Sequence, residues 1–163
     1  MVCQNTLVDC KSPHLFSFLP PPMKNLPALK ALLATPGNIA IVTHFKPDAD
    51  ALGSSLGLAG FLRRKGHQVT VITPSDYPAF LAWMPGNEGV IAVTPDSIES
   101  FQRARHVFVN ADIIFCLDFS SLKRIDALES IVREARATKV LIDHHLEPEQ
   151  FAQFEQWDTN SAS

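Results

Sequence analysis

The sequence predicts a doubly wound α/β fold: a parallel sheet with helices on both faces, Rossmann-like in the broad sense. Two observations carry this. Short runs of continuous apolar residues alternate with stretches of helical periodicity, the pattern of strands covered on both faces. Three of the four apolar runs then lead straight into Asp or His, as strands do when a ligand site lies at the carboxyl edge of a parallel sheet. A chain of 163 residues, 46% hydrophobic and 19% charged, suits one domain with a sizeable core and is too apolar for wholesale disorder.

The elements follow in chain order. Residues 1–22 differ from the rest and end in Pro20-Pro21-Pro22, which continues neither a helix nor a central strand. They are expected to be a disordered extension, or to precede an internal start codon, with residues 23–163 forming the domain. Met23 opens a helical pattern through Leu26, Leu29, Leu32 and Leu33. Ile39-Ala40-Ile41-Val42-Thr43 reads as a buried strand. Residues 51–65 read as a helix with Leu52, Leu56, Ala59 and Leu62 on one face. Val69-Thr70-Val71-Ile72 is a second strand, residues 78–84 a short helix, and residues 96–106 a weaker one. Ile113-Ile114-Phe115-Cys116-Leu117 is a third strand. Residues 121–136 read as a helix with Leu122, Ile125, Leu128 and Val132 facing inward and Ser120 or Ser121 as N-cap. Lys139-Val140-Leu141-Ile142 is the fourth strand.

Composition narrows the function. Lys plus Arg is 14 and Asp plus Glu is 17, a net charge of −3. That balance argues against a protein that coats long nucleic acid and leaves room for a small anionic substrate held by local cations or metal. No apolar run approaches the roughly 18 residues that span a membrane. Cys3, Cys10 and Cys116 do not make a disulfide framework. The N-terminus lacks the features of a signal peptide, so a cytoplasmic protein is expected.

The polar residues are concentrated at strand ends. The first strand runs into His44 and on through Asp48 and Asp50, the third into Asp118, the fourth into Asp143-His144-His145. Parallel strands place these ends on one edge, so several carboxylates and imidazoles converge. Carboxylates packed together repel one another and are costly to desolvate, and metal ions are the usual remedy. The set of His and carboxylates without thiolate favours a hard or borderline divalent ion such as Mn²⁺, with Mg²⁺ or Co²⁺ as alternatives. So many ligands suggest two ions, which together activate a water and clamp a phosphoryl group. Singly, each residue has a plainer reading: His44 as a loop residue, Asp48 and Asp50 as an Asx-turn and N-cap, Asp118 as turn chemistry. Three strand ends carrying ligand-type residues together outweigh those readings.

Gly53, Gly57 and Gly60 line one side of the helix at 51–65. Gly57 and Gly60 are read as allowing close helix–sheet packing. Gly53 and Ser54 are read as first-turn residues whose free amides face a phosphate. Arg63-Arg64-Lys65 reads as the solvated helix end, Cys116 as an inert core residue, and Trp83 and Trp157 as packing residues. No partners are assigned to His67 or His106.

His44-x-x-x-Asp48-x-Asp50-Ala51-Leu52-Gly53-Ser54, then Asp118, then Asp143-His144-His145 resemble the first three motifs of the DHH phosphoesterase superfamily in order and spacing. The chain looks most like the oligoribonuclease/pAp-phosphatase branch, the NrnA-type nanoRNases, over roughly residues 24–163. Supporting stretches are His44-Phe45-Lys46-Pro47-Asp48-Ala49-Asp50, Leu141-Ile142-Asp143-His144-His145-Leu146-Glu147-Pro148 and Asp158-Thr159-Asn160-Ser161-Ala162-Ser163. The resemblance implies a binuclear, usually Mn²⁺-dependent phosphohydrolase acting on short RNA or 3′-phosphoadenosine-5′-phosphate. By position, His44 and Asp48 would hold one ion and Asp50 and His144 the other. Asp118 would bridge both together with the nucleophilic water. His145 would contact the scissile phosphate or assist proton transfer, and Asp143 would orient its neighbours. A homodimer of the full-length protein is compatible with the resemblance. The family's fourth-motif Asp and its smaller substrate-binding domain have no counterpart here, so the chain is expected to be the front part of a larger enzyme and poorly active alone. Two other readings stay open: a non-catalytic metal- or nucleotide-binding module, and a pyrophosphatase- or polyphosphatase-like member of the same superfamily.

Overall fold

The chain runs α1 (Leu26–Leu32), β1 (Asn38–Thr43), α2 (Ala49–Arg64), β2 (Gln68–Thr73), β3 (Ile91–Ala92), α3 (Ile98–Asn110), β4 (Ile113–Leu117), α4 (Glu129–Glu134), β5 (Thr138–Asp143) and β6 (Phe154–Trp157). These elements belong to a computed structural model that describes residue 23 and residues 25–160. The expectation for residues 1–22 lies outside the described residues, as do Cys3 and Cys10.

All six strands pair in parallel, in the order β3-β2-β1-β4-β5-β6. The chain builds outward from β1 to β3, then returns to β4 on the other side of β1. The order therefore reverses between β1 and β4, which is where open α/β sheets bind ligands. Register across this seam sets Ile39 opposite Ile113 and Thr43 opposite Leu117, so both strands end level with each other.

Side chains alternate between two cores, as the pleat requires. Ile39, Ile41, Val71, Phe115, Leu117 and Val140 pack with Leu52, Leu56, Ala59 and Leu62 of α2. Ala40, Val42, Ile114, Cys116 and Leu141 pack with Ala104 and Phe108 of α3 and Val132 of α4. Cys116 is fully buried, and burial pushes its thiol pKa far up, so it stays a neutral core group. His67 is buried too: its Nδ1 accepts from the Gly37 amide at 3.2 Å, and its Nε2 lies 3.2 Å from the Leu33 carbonyl, tying the end of α1 to the start of β1. Among the described residues no helix is long and apolar enough to cross a membrane.

Several expectations are corrected. Residues 121–136 are not one helix. A 3₁₀ segment over Leu122–Leu128 breaks at Asp126, where φ is 50°, and α4 follows. The inward face is right, since Leu122, Ile125, Leu128 and Val132 are all fully buried. The spacing of three from Leu122 to Leu128 fits a 3₁₀ repeat as well as an α-helix, so the periodicity does not separate them. Ser121 is the cap, its hydroxyl accepting from the Lys123 amide. The short β3 and the polar edge strand β6 lack apolar runs and have no counterpart in the sequence reading. A Cβ added at Gly57 or Gly60 meets nothing within 4 Å, which overturns the close-packing reading. Trp83 and Trp157 are exposed at 76% and 39%, so neither is buried packing.

Candidate metal centre

Three strand ends build the site. His44 follows β1, Asp118 follows β4, and Asp143 closes β5 ahead of His144 and His145. Asp48 caps α2 on the same edge, its Oδ1 accepting from the Ala51 amide at 3.2 Å. His44 Nε2 lies 3.7 Å from Asp48 Oδ1 and 3.7 Å from Asp118 Oδ2. The other Asp118 oxygen, Oδ1, lies 3.3 Å from His144 Nε2. Asp118 thus presents one oxygen to each of two groups, His44–Asp48–Asp118 and Asp118–His144–His145, whose donor atoms lie within 4.8 Å of one another.

Backbone geometry aims Asp118. Its φ is 64°, a left-handed conformation that Asp tolerates better than most residues. Its amide donates to the Ile142 carbonyl at 3.0 Å, which ties the residue after β4 to the neighbouring strand β5. Such backbone states persist where surrounding structure over-determines them, often at functional sites. The Asp118 side chain is 12% exposed, against 65% for Asp48, so Asp118 forms the floor and Asp48 the rim.

The sequence profile of the DHH family, N-terminal domain, matches residues 38–163. The chain belongs to the DHH family. The bifunctional oligoribonuclease and PAP phosphatase NrnA of Thermus thermophilus is 42% identical over 59 residues, 36% of this chain and 18% of that protein. The crystal structure of an exopolyphosphatase-related protein from Bacteroides fragilis superposes with a TM-score of 0.77 at 39% identity, over 84% of this chain and 39% of that one. The chain therefore spans less than half the length of either relative.

The donor set of this DHH domain fits divalent ions. Two ligand atoms about 2.1 Å from one ion and 90–120° apart lie about 3.0–3.6 Å from each other, close to the spacings around Asp118. His44 is oriented for ligation: its Nδ1 lies 2.9 Å from the Phe45 carbonyl and donates to it, leaving Nε2 for the cluster. The hydrogen bond to Asp118 raises the His44 pKa above the ordinary value, with the Phe45 carbonyl and the Asp118 and Asp48 charges adding to it against the opposing effect of burial. Asp48 is also raised, first by a hydrogen bond with Asp50 and then by burial.

Asp50 belongs to neither group; its carboxylate lies beside that of Asp48. Asp143 and His145 form a separate pair, with His145 Nδ1 2.8 Å from Asp143 Oδ1. The same nitrogen is 3.7 Å from Asp118. The shorter contact claims it, so His145 is held through Nδ1 by a buried carboxylate and its Nε2 is left for another partner. Asp143 Oδ2 is buried with no hydrogen-bond partner among the described residues.

The expectation for Gly53 and Ser54 is corrected. The helix starts at Ala49, so they are its fifth and sixth residues, beyond the first turn and its free amides. Ser54 Oγ donates to the Ala51 carbonyl instead.

Supporting residues without a sequence signal surround the site. The Trp157 indole donates to the His145 carbonyl at 2.6 Å, and the Asp158 amide to the Asp143 carbonyl at 3.3 Å, so β6 pins the Asp-His-His turn. Ser75 Oγ accepts from the Lys46 amide at 2.8 Å, and the Arg124 carbonyl accepts from the Phe45 amide at 2.7 Å. Each of these contacts has a backbone group on at least one side, and nothing in the spacing of the sequence marks them.

Proposed function

We propose that this chain carries the metal-binding part of a phosphoesterase that cleaves short oligoribonucleotides and 3′-phosphoadenosine-5′-phosphate with two divalent ions. The observation that carries the reading is Asp118, whose two oxygens face two separate imidazole-bearing groups. His44, Asp48 and Asp118 would hold one ion. Asp118 and His144 would hold the other, with Asp50 as the remaining rim carboxylate assigned to it. When bound, such a pair activates a water and stabilises charge developing on the phosphoryl oxygens. Mn²⁺ suits the His and carboxylate donors best, with Mg²⁺ or Co²⁺ as alternatives.

The chain's own residues supply the rest. Asp143 holds the His145 ring through Nδ1 at 2.8 Å and fixes its orientation. His145 Nε2 is then free to contact the scissile phosphate and to give a proton to the departing alcohol oxygen. The substrate assignment follows the Thermus thermophilus relative, a bifunctional oligoribonuclease and PAP phosphatase, and the acidic net charge favours short over long nucleic acid. A cytoplasmic protein, acting away from membranes and dimeric at full length, belongs to the same reading.

The Bacteroides fragilis neighbour favours a second reading, in which the substrate is polyphosphate. One experiment on the full-length protein separates the readings: measure metal content, then assay 3′-phosphoadenosine-5′-phosphate, a diribonucleotide and polyphosphate with Mn²⁺. Release of phosphate or mononucleotide from the first two supports the reading. Release from polyphosphate alone supports the second. Bound metal with no turnover on any of them points to a non-catalytic module.

A further inference from the structure

We propose that Arg124 grips a second, non-scissile phosphate of the substrate and so selects nucleotides that carry two phosphates over those with one. This rests on the phosphoesterase reading and names a specificity residue for it. Two grooves meet at this side chain. One, of about 640 Å³, is lined by Ser120, Arg124, His144, His145, Leu146 and Thr159. The other, of about 320 Å³, is lined by Phe45, Lys123, Arg124 and Asp126. Arg124 is the residue common to both, so it stands between the Asp-His-His turn and the loop that follows His44.

The backbone under Arg124 is fixed at both ends. Its amide donates to the Ser121 carbonyl at 2.9 Å, and its carbonyl accepts from the Phe45 amide at 2.7 Å. The Glu149 carboxylate tethers the same turn, accepting from Ser121 Oγ at 2.8 Å and from the Leu122 amide at 3.1 Å. The guanidinium itself is uncommitted: among the described residues the ion-paired arginine is Arg133, held by Glu129 and Glu149, and Arg124 forms no ion pair. Asp126 lines the second groove but is turned by its own positive φ and is not bridged to Arg124.

Asp48 and Asp50 on the rim and Asp118 on the floor are the carboxylates that metal would neutralise. On the Asp48 side the exposed Lys46 lies between His44 and Asp48, its Nζ 5.8 Å from the Phe45 ring centroid; on the His144–His145 side Arg124 is the one Lys or Arg lining the groove, so a second phosphate there meets its guanidinium. A guanidinium fork matches phosphate oxygens in a bidentate way that a lysine does not. Lys123 lies on the same exposed turn but reaches only the second groove.

The test compares wild type, Arg124→Ala and Arg124→Lys, with Arg105→Ala as a control of equal charge on α3, away from the carboxyl edge. Equilibrium binding is measured in Mn²⁺ with two probes, a non-hydrolysable phosphonate analogue of adenosine 3′,5′-bisphosphate and AMP. Wild type is expected to bind the bisphosphate more tightly than AMP. Arg124→Ala should lose about ten- to a hundred-fold on the bisphosphate, the scale of a hydrogen bond to a charged group, and little on AMP. Arg124→Lys should recover part of the loss, and Arg105→Ala should match wild type. Equal losses on both probes, no loss on either, or a wild type that does not prefer the bisphosphate would overturn the proposal. Hydrolysis of bis(p-nitrophenyl) phosphate, which has no second phosphate, is measured alongside. Its absence in the full-length wild type counts against the phosphoesterase reading, whereas its survival in Arg124→Ala beside lost bisphosphate preference supports the role of Arg124.

Discussion

Replacing Asp118 with Asn is the perturbation that reaches furthest into this site. Asp118 Oδ2 faces His44 at 3.7 Å and Oδ1 faces His144 at 3.3 Å, so a single change removes a charged donor from both groups. The amide is nearly isosteric, and the backbone bond from residue 118 to Ile142 does not depend on the side chain, so the fold should hold. Even a supporting partner of a metal ligand commonly costs 10–100-fold in affinity when lost; a ligand shared by two sites should cost at least that at each, or about 1.4–2.7 kcal/mol per ion. Asp48→Asn, by contrast, should weaken one ion and spare the other, because Asp48 belongs to one group only. His145→Ala should leave metal content near wild type and reduce turnover. The assay is Mn²⁺ titration by calorimetry beside hydrolysis rates for all three variants of the full-length protein. Loss of a single ion in Asp118→Asn, or equal metal loss in Asp118→Asn and His145→Ala, would refute the shared-carboxylate reasoning.

Two further predictions concern pH and stability. His44 is raised above its ordinary value of 6.5 by Asp118. Its protonated form therefore stabilises the metal-free fold below that pH, and this contribution is lost as pH rises through the raised pKa. Metal competes for the same nitrogen, so Mn²⁺ affinity should increase as pH rises through the region just above 6.5. Thermal melts with and without Mn²⁺ across pH 5.5–8.5 read both trends, and a pH-independent affinity would contradict them. Gly57→Ala should stabilise the protein by about 0.5–1 kcal/mol, because α2 gains helix propensity and the added methyl meets nothing within 4 Å. A lower melting temperature in that variant would show that the helix face is occupied.

The central strands were legible because Ile39–Val42, Ile113–Leu117 and Val140–Ile142 are apolar without interruption, as strands covered on both faces must be. β6 was not: Phe154 is its buried residue, and the intervening Glu155 and Gln156 break the pattern. The kink at Asp126 was hidden because a non-glycine residue takes the positive φ, and no glycine or proline marks it. The convergence of His44, Asp48, Asp118 and His144 was legible because parallel strands bring their carboxyl ends to one edge. How each side chain is held there was not. The Phe45 carbonyl sets the His44 tautomer, and Trp157 reaches back twelve residues to the His145 carbonyl. Neither contact leaves a trace in residue type or spacing.

Anomalous diffraction at the manganese edge, from crystals grown in Mn²⁺, tests the central claim most directly. The account predicts two peaks on either side of Asp118, one bordered by His44 and Asp48 and the other by His144. A single peak, or a pair that Asp118 does not separate, would contradict it.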